Sequence, residues 1–465
     1  MVNKLGEKFT DLFQKNMPDA FVFALLLTML IAITSFFWVD ASPLLIVTSW
    51  YDGFWNLLEF GMQMVLLVIT GYSIALSPIA KKGVEVLAKR VTTPRQVYFF
   101  VMLVGCLLGL ISWGWAVITA VLARELALRV KGVNYPFLIA VVYFSGASWV
   151  TGFSSSIPLL LNTPNNYMIE AGVLPGTLSS ALTLGSSINL AMIFVFLVLG
   201  PLLFLWLTPK EKNMRELENM LGEEKQNIDI SIHEEAESLK LSQPVLSDKL
   251  NNSTIIQWII AAMGLTYIVY HFASKGFDLN LNIMIFIFLI LGLILHKTPV
   301  RYGISMQRAS SNVSGILFQF PFYAGIMGIM LYTGLGEELA KLMASVATLE
   351  TYPFFAYVSG GIVNFAIPSA GGEFAVIGPS VISAVNEIAS CLPAQELANV
   401  QARAVLSMAY GESLTNLLQP FFLLVIFPVM GAGIKIQARD VMGYLVLPFA
   451  VFFIIQSVMV MWWPL

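Results

Sequence analysis

The feature that most constrains this chain is the recurrence of apolar runs near the ~18–20 residues that a helix needs to cross a bilayer. Ala20–Trp38, Leu57–Leu76, Ile188–Leu207, Ile255–His271 and Val441–Trp463 are such runs. Bilayer core offers no water to the backbone, so segments of this kind are helical or lie against other protein. Of the 465 residues 57% are hydrophobic and 11% charged, against about 25% charged in a soluble domain. The chain therefore reads as an all-α polytopic membrane protein. A net charge of −3 gives no basis for a nucleic-acid partner. The first run follows Lys4, Lys8 and Lys15 and is longer than the ~7–15-residue core of a cleaved signal, so it reads as a retained helix. Cys106 and Cys391 stand far apart, which predicts neither a disulfide framework nor a metal site.

One polar stretch divides the chain. Residues 209–252 are rich in Lys, Glu, Asn and Ser and read as a solvated linker, partly helical between Lys210 and Lys225. On either side the same order of segments recurs. Phe54–Phe60 matches Ser314–Phe320, Leu76 and Pro94 match Leu335 and Pro353, Trp115–Ile118 matches Phe374–Ile377, and Pro158 matches Pro420, all about 260 residues apart. The predicted organisation is a cytoplasmic N-terminus (1–17), a first transmembrane repeat (18–208), the linker (209–252), a connecting helix (253–272) and a second repeat (273–465). Each repeat holds two spanning helices (18–38 and 55–79; 279–296 and 313–333) and an amphipathic stretch (80–93; 335–351). A re-entrant hairpin (95–130; 353–387), a discontinuous helix (135–166; 398–428) and a last spanning helix (178–207; 441–463) follow. The connecting helix inverts the second repeat. With the N-terminus inside, every Lys and Arg except Lys275, Lys341 and Arg403 falls on the inner side, as the positive-inside rule requires. The amphipathic stretches differ accordingly: Lys81, Lys82, Lys89 and Arg90 in one, Glu337, Glu338 and Glu350 in the other.

Four stretches carry polar or Gly/Pro residues where apolar ones are expected. The first hairpin turns at Ser112, Trp113, Gly114 and Trp115; the second turns at Pro368–Glu373, after Asn364. The discontinuous helices break at Ser145–Pro158 and Tyr410–Pro420, and Asn162–Asn166 follows the first break. A half-helix that starts at midplane aims free N–H groups at a cavity, and one that ends there offers carbonyls to a cation. The candidate substrate- and ion-binding residues are therefore Ser112, Trp113, Gly114, Ser145, Gly146, Ser148, Thr151, Ser154, Ser155, Asn162 and Thr163 in the first repeat. In the second they are Asn364, Ser369, Gly371, Gly372, Glu373, Tyr410, Gly411, Glu412, Ser413, Thr415 and Asn416. The competing explanation is that Gly, Ser and Pro serve packing or kinks; two pairs at matching places favour a site.

Glu373 and Glu412 would each cost about 2.5–3.5 kcal/mol at the bilayer centre if charged and uncompensated, which points to coupling with Na⁺ or H⁺. No Lys or Arg lies in the four breaks, and Arg124 and Arg403 read as snorkelling to the interface, so a monocarboxylate fits better than a dicarboxylate. The three histidines serve no nucleophile, metal site or proton relay, and Gly152–Ser156 lacks the last Gly of a nucleophile elbow. No phosphate-binding loop is present. A secondary transporter is the first reading, a passive anion channel the second and a membrane enzyme the third; no cofactor is expected.

Asp52–Leu58 with Phe60–Met64, His296–Pro299, Gln319–Gly325, Asn364–Ser369 with Gly371 and Gly372, and Ala409–Glu412 resemble the bacterial short-chain fatty acid transporter family. The resemblance runs from about Pro18 to the C-terminus. It implies uptake of acetoacetate, butyrate or similar acids across a bacterial inner membrane. It also implies kinship with ion-coupled carboxylate transporters that pair inverted halves, bind substrate between hairpin tips, move in the elevator manner and form homodimers.

Overall fold

Cap residues placed next to prolines decide where several helices begin. In the computed structural model Ser42 accepts the Leu45 N–H (3.2 Å) ahead of Pro43. Thr93 and Gln96 cap one another's backbone ahead of Pro94. Asn134 accepts from Phe137 (3.1 Å) with Pro136 in the first turn. Each cap satisfies an N–H that the helix cannot. The structure describes residues 20–89, 91–209, 215–221, 231–240, 245–310, 313–365, 367–419 and 423–464, and among them the regular structure is entirely helical. The N-terminal segment 1–17 with its three lysines, Pro18, Arg90, Pro420 and parts of the linker lie outside the described residues.

The first half comprises α1 (Ala20–Trp38), α2 (Pro43–Gly53), α3 (Leu58–Ala75), α4 (Pro78–Ala88) and a hairpin of α5 (Pro94–Ile111) and α6 (Ala116–Arg129). Next come α7 (Tyr135–Gly146), a 3-10 segment at Ala147–Thr151, α8 (Ser156–Leu161) and α9 (Ser187–Trp206), then the connecting α10 (Thr254–Lys275). The second half comprises α11 (Leu281–His296), α12 (Pro299–Ser310), α13 (Ser314–Tyr332), α14 (Leu335–Val346) and a hairpin of α15 (Tyr352–Asn364) and α16 (Ala370–Ile388). It ends with α17 (Ala394–Thr415), α18 (Leu423–Met430) and α19 (Val446–Trp462). Among the described residues five helical stretches are long and apolar enough to cross a membrane: α3, α5, the run Tyr135–Leu161, α9 and Leu246–Lys275.

Packing between the halves is reciprocal. Helix α13 lies against α1 and α2, while α3 lies against α11 and α12. The α2–α13 contact brings backbones together: a Cβ on Gly53 would stand 2.6 Å from the Gly328 Cα, so neither position has room for a side chain. The broken helices cross over likewise, α18 packing on α6 and α8 on α16. Helix α10 is peripheral. It leans on α11, where Gln257 donates to the Leu293 carbonyl (2.7 Å), and leaves Ile255, Met263 and Val269 exposed, as a lipid-facing helix does.

Several sequence expectations need correction. Helices α2 and α12 are separate from their neighbours, where the apolar pattern predicts none; both begin at a Pro after Ser or Thr and lie between the first two long helices of their half. The second broken helix is continuous through Thr415 and unwinds only from Asn416, so Tyr410–Thr415 have closed backbone. The last helices start later than expected, at Ser187 and Val446. Two described pieces of the linker, 215–221 and 231–240, are docked rather than free. Leu217–Met220 packs on α6, Arg215 pairs with Asp440 (2.8 Å), and Ile232–Ser238 sets Ile232 and Ala236 on Ile304. Arg308 bonds Glu235 beside it. The i, i+4 spacing of Ile232 and Ala236 gives that short helix an apolar face to bury. Arg124 does not snorkel: it donates to the carbonyls of Val429 (3.0 Å), Met430 (3.2 Å) and Ala432 (2.8 Å) at the end of α18, a favourable place for a cation.

Candidate functional site

The last turns of α17 carry a buried polar network that ties both breaks together. The Asn416 amide donates to Glu412 Oε1 (2.7 Å). Asn364, at the end of α15, donates to Thr415 Oγ1 (2.8 Å) and Asn416 Oδ1 (3.1 Å), and Gln419 donates back to the Asn364 carbonyl (2.7 Å). From the first half, the Tyr143 hydroxyl donates to the carbonyls of Asn416 (2.9 Å) and Gln419 (2.5 Å). Toward the first break, Ser413 donates to the Ala147 carbonyl (3.0 Å). Tyr410 donates to Asn189 Oδ1 (2.9 Å), whose amide donates to the Thr151 carbonyl (2.9 Å). The 3-10 segment of one half is thus held by donors from the other half and from α9.

Glu373 is 0% and Glu412 1% exposed. Both carboxyl oxygens of Glu373, Glu412 Oε2 and Asn364 Oδ1 have no hydrogen-bond partner among the described residues, and Glu373 lies within electrostatic reach of Glu412. Among the described residues no Lys or Arg pairs with either. A buried carboxylate without a counter-charge is costly, so these groups demand a proton or a cation. Among the described residues no three His, Cys, Asp or Glu converge, so a cation here would rest on one or two carboxylates and neutral oxygens, the ligand set of Na⁺ rather than of a transition metal.

The second hairpin tip adjoins this core. Ser369 is extended and ends the loop before α16. A Cβ on Gly371 would stand 2.8 Å from the Phe60 ring, and one on Gly372 2.7 Å from Tyr323. Phe60, Tyr167, Phe320 and Tyr323 form a linked aromatic cluster over the tip, and the buried Tyr167 hydroxyl has no partner among the described residues. The first turn of α16, whose N–H groups have no partner within the helix, is therefore packed among apolar and aromatic side chains.

The other candidates divide. At the first tip Ser112 is extended and Trp113–Trp115 form a 3-10 turn; the Trp113 side chain lies outside the described residues. A Cβ on Gly114 would stand 3.1 Å from the Tyr72 nitrogen, and Trp115 donates to the Gly71 carbonyl (3.1 Å), so this tip presses on α3. Ser145, Ser148 and Thr151 donate to nearby carbonyls, leaving only acceptor capacity. Ser154 is buried and Ser155 Oγ has no partner among the described residues, while Gly146 faces open space. Asn162 donates to Asp278 and Leu279, and Thr163 accepts from the Leu281 N–H; these two fasten the chain before α11. Gly411 does not unwind α17. It lets α17 touch α15 at the Tyr357 carbonyl, the packing role that small residues serve in membranes. Asn189, Tyr143 and Gln419 were missed. Asn189 was legible as a lone amide inside an apolar run, costly unless bonded.

Residues 1–462 match the family described as short chain fatty acid transporter. The chain belongs to that family. A provisionally named short-chain fatty acid transporter of Escherichia coli K12 is 35% identical over 446 residues, 96% of each chain. A protein of the same provisional name from Haemophilus influenzae is 33% identical over 449 residues, again 96% of each. Family and relatives are transporters, not enzymes, which removes the membrane-enzyme reading. Among solved structures, the YdaH transporter of Alcanivorax borkumensis, described as having an unusual topology, aligns with a TM-score of 0.58 over 96% of this chain and 98% of that one at 16% identity. At that identity the likeness speaks for the fold alone.

Proposed function

We propose that this member of the short chain fatty acid transporter family imports short-chain monocarboxylates such as butyrate or acetoacetate, coupled to Na⁺ or H⁺. It would do so by elevator-type alternating access of two inverted halves, as a homodimer in a bacterial inner membrane with a cytoplasmic N-terminus. One observation carries the reading: two buried carboxyls with unpartnered oxygens, Glu373 and Glu412, stand at and near the tip where α16 begins, beside an aromatic cluster. The carboxylate of a substrate would take the first-turn N–H groups of α16 and the Tyr167 hydroxyl, and its alkyl chain the rings of Phe60 and Phe320. Glu412 and Glu373 would hold the coupling ion or proton, so that loading one site conditions the other. The reciprocal packing of α1 and α2 on α13, and of α11 and α12 on α3, supports an inverted pair of halves.

The test is uptake of labelled butyrate into proteoliposomes under separately imposed Na⁺ and H⁺ gradients. Accumulation driven by one gradient is the expected result and identifies the ion. Equilibration without accumulation under both would instead indicate a channel.

A further inference from the structure

A cavity of about 190 Å³ lies at the start of α9, outside the four breaks. Arg403, on α17, lines it and is 8% exposed, contrary to the snorkelling expected from sequence. Its Nε and Nη2 both donate to the Val460 carbonyl (3.3 and 2.9 Å), near the end of α19. That fixes the guanidinium and leaves Nη1 with no hydrogen bond to the protein among the described residues. Opposite it α9 begins. Ser186 accepts the Asn189 N–H (3.3 Å) as cap, so the N–H groups of Ser187 and Ile188 remain for the cavity at the positive end of the helix. Ser187 Oγ accepts from Trp463 (3.0 Å) and keeps its own O–H to donate. The Asn399 amide completes the polar side, and Leu182 and Leu406 give an apolar wall. Among the described residues no carboxylate lines the space.

Fixed donors, one permanent positive charge and an apolar wall suit a small monoanion with a hydrocarbon tail. We propose that this cavity is a second carboxylate-binding site, which captures the short-chain acid before it reaches the network around Glu412. Arg403 stands seven residues before Tyr410, two turns or about 10 Å along one face of α17. Tyr410 in turn bonds Asn189, two residues beyond Ser187. Helix α9 extends about 30 Å from this cavity to the linker, so the cavity lies toward the side opposite the linker. The proposal deepens the transport reading and rests on it for the identity of the acid.

The test places a reporter on the apolar wall, leaving the donors intact. Leu182→Cys is made on a Cys391→Ser background, Cys106 being buried. The rate of maleimide labelling of purified protein is measured with butyrate and with equimolar chloride, and butyrate uptake is measured with the same protein in proteoliposomes. Butyrate should slow labelling several-fold and saturably, chloride should not, and adding Arg403→Gln or Asn399→Asp should abolish the slowing. Asn399→Asp leaves the Val460 contact untouched, so it decides the matter if Arg403→Gln fails to fold. Unchanged labelling with butyrate in an actively transporting protein overturns the proposal. So does slowing that survives both substitutions, and equal slowing by chloride overturns the carboxylate assignment. Saturable, Arg403-dependent slowing in a protein that does not transport butyrate would uphold the site and overturn the transport reading instead.

Discussion

Replacing Glu412 by Gln separates coupling from folding, and its energetics can be worked from the contacts. With neither proton nor cation bound, a charged Glu412 near midplane would carry a burial cost of about 2.5–3.5 kcal/mol on the lenient scale, which Gln removes. Against that, the Asn416 amide now donates 2.7 Å to a carboxyl oxygen. A hydrogen bond to a charged group contributes about 1.5–3 kcal/mol and one to a neutral group about 0.5–1.5, so Gln, which still offers an oxygen, forfeits roughly 1–2 kcal/mol. The two changes offset to within about 1–2 kcal/mol, and Glu412→Gln should unfold in detergent at a temperature equal to or slightly above that of the parent. Glu373 accepts no hydrogen bond from the described residues, so Glu373→Gln forfeits nothing and should be the more stabilising of the two. Function should part company with stability. Glu412→Gln is expected to lose gradient-driven accumulation of butyrate while counterflow persists, because exchange needs no net ion movement; Glu373→Gln should be milder. The assays are paired uptake and counterflow in proteoliposomes, with thermal unfolding of the same preparations. Normal accumulation by Glu412→Gln under both gradients would refute the coupling role. A large loss of stability would refute the energetic argument.

Three further outcomes are expected. An impermeant thiol reagent on intact spheroplasts should label Cys391, which is exposed, but not Ser231→Cys in the linker; labelling of the linker would overturn the inverted arrangement. Butyrate and acetoacetate should compete for uptake while succinate and citrate do not, since no Lys or Arg lies in the breaks, and equal competition by succinate would count against a monocarboxylate site. Gly411→Ala, whose Cβ would run into the Tyr357 carbonyl, should cost about 1–3 kcal/mol or more by overpacking. Gly83→Ala, on an exposed helix with open space around it, should gain up to about 1 kcal/mol of helix propensity; thermal unfolding compares the two.

What the sequence made legible was whatever a single segment decides for itself. The long helices follow from local hydropathy, and the turn at Ser112–Trp115 from polar residues interrupting an apolar run. Helices α2 and α12 escaped notice because both are short and carry polar residues within one apolar-to-polar transition, where periodicity gives little purchase. The second break was misplaced for a related reason. Tyr410–Asn416 looks unwound because Gly, Ser and Thr cluster there, yet Gly411 is small in order to admit the backbone of α15, a requirement set 54 residues upstream at Tyr357. The polar partnerships were least legible of all. Tyr410 and Asn189 are 221 residues apart, and Ser413 and Ala147 are 266 apart.

Those long-range bonds bear on mechanism. Carbonyls released in the first half, at Ala147 and Thr151, accept from Ser413 and from Asn189, which itself accepts from Tyr410. In the other direction, Tyr143 donates to the carbonyls of Asn416 and Gln419 at the second break. Neither break can close up or shift along its axis without stranding buried donors or acceptors on the other, at about 1–3 kcal/mol for each group left unpaired. That cost favours movement of the two breaks together over movement of either alone. Under the proposed coupling, an ion at Glu412 in the second half would bias the position of the first half as well, although the first break contains no acid of its own.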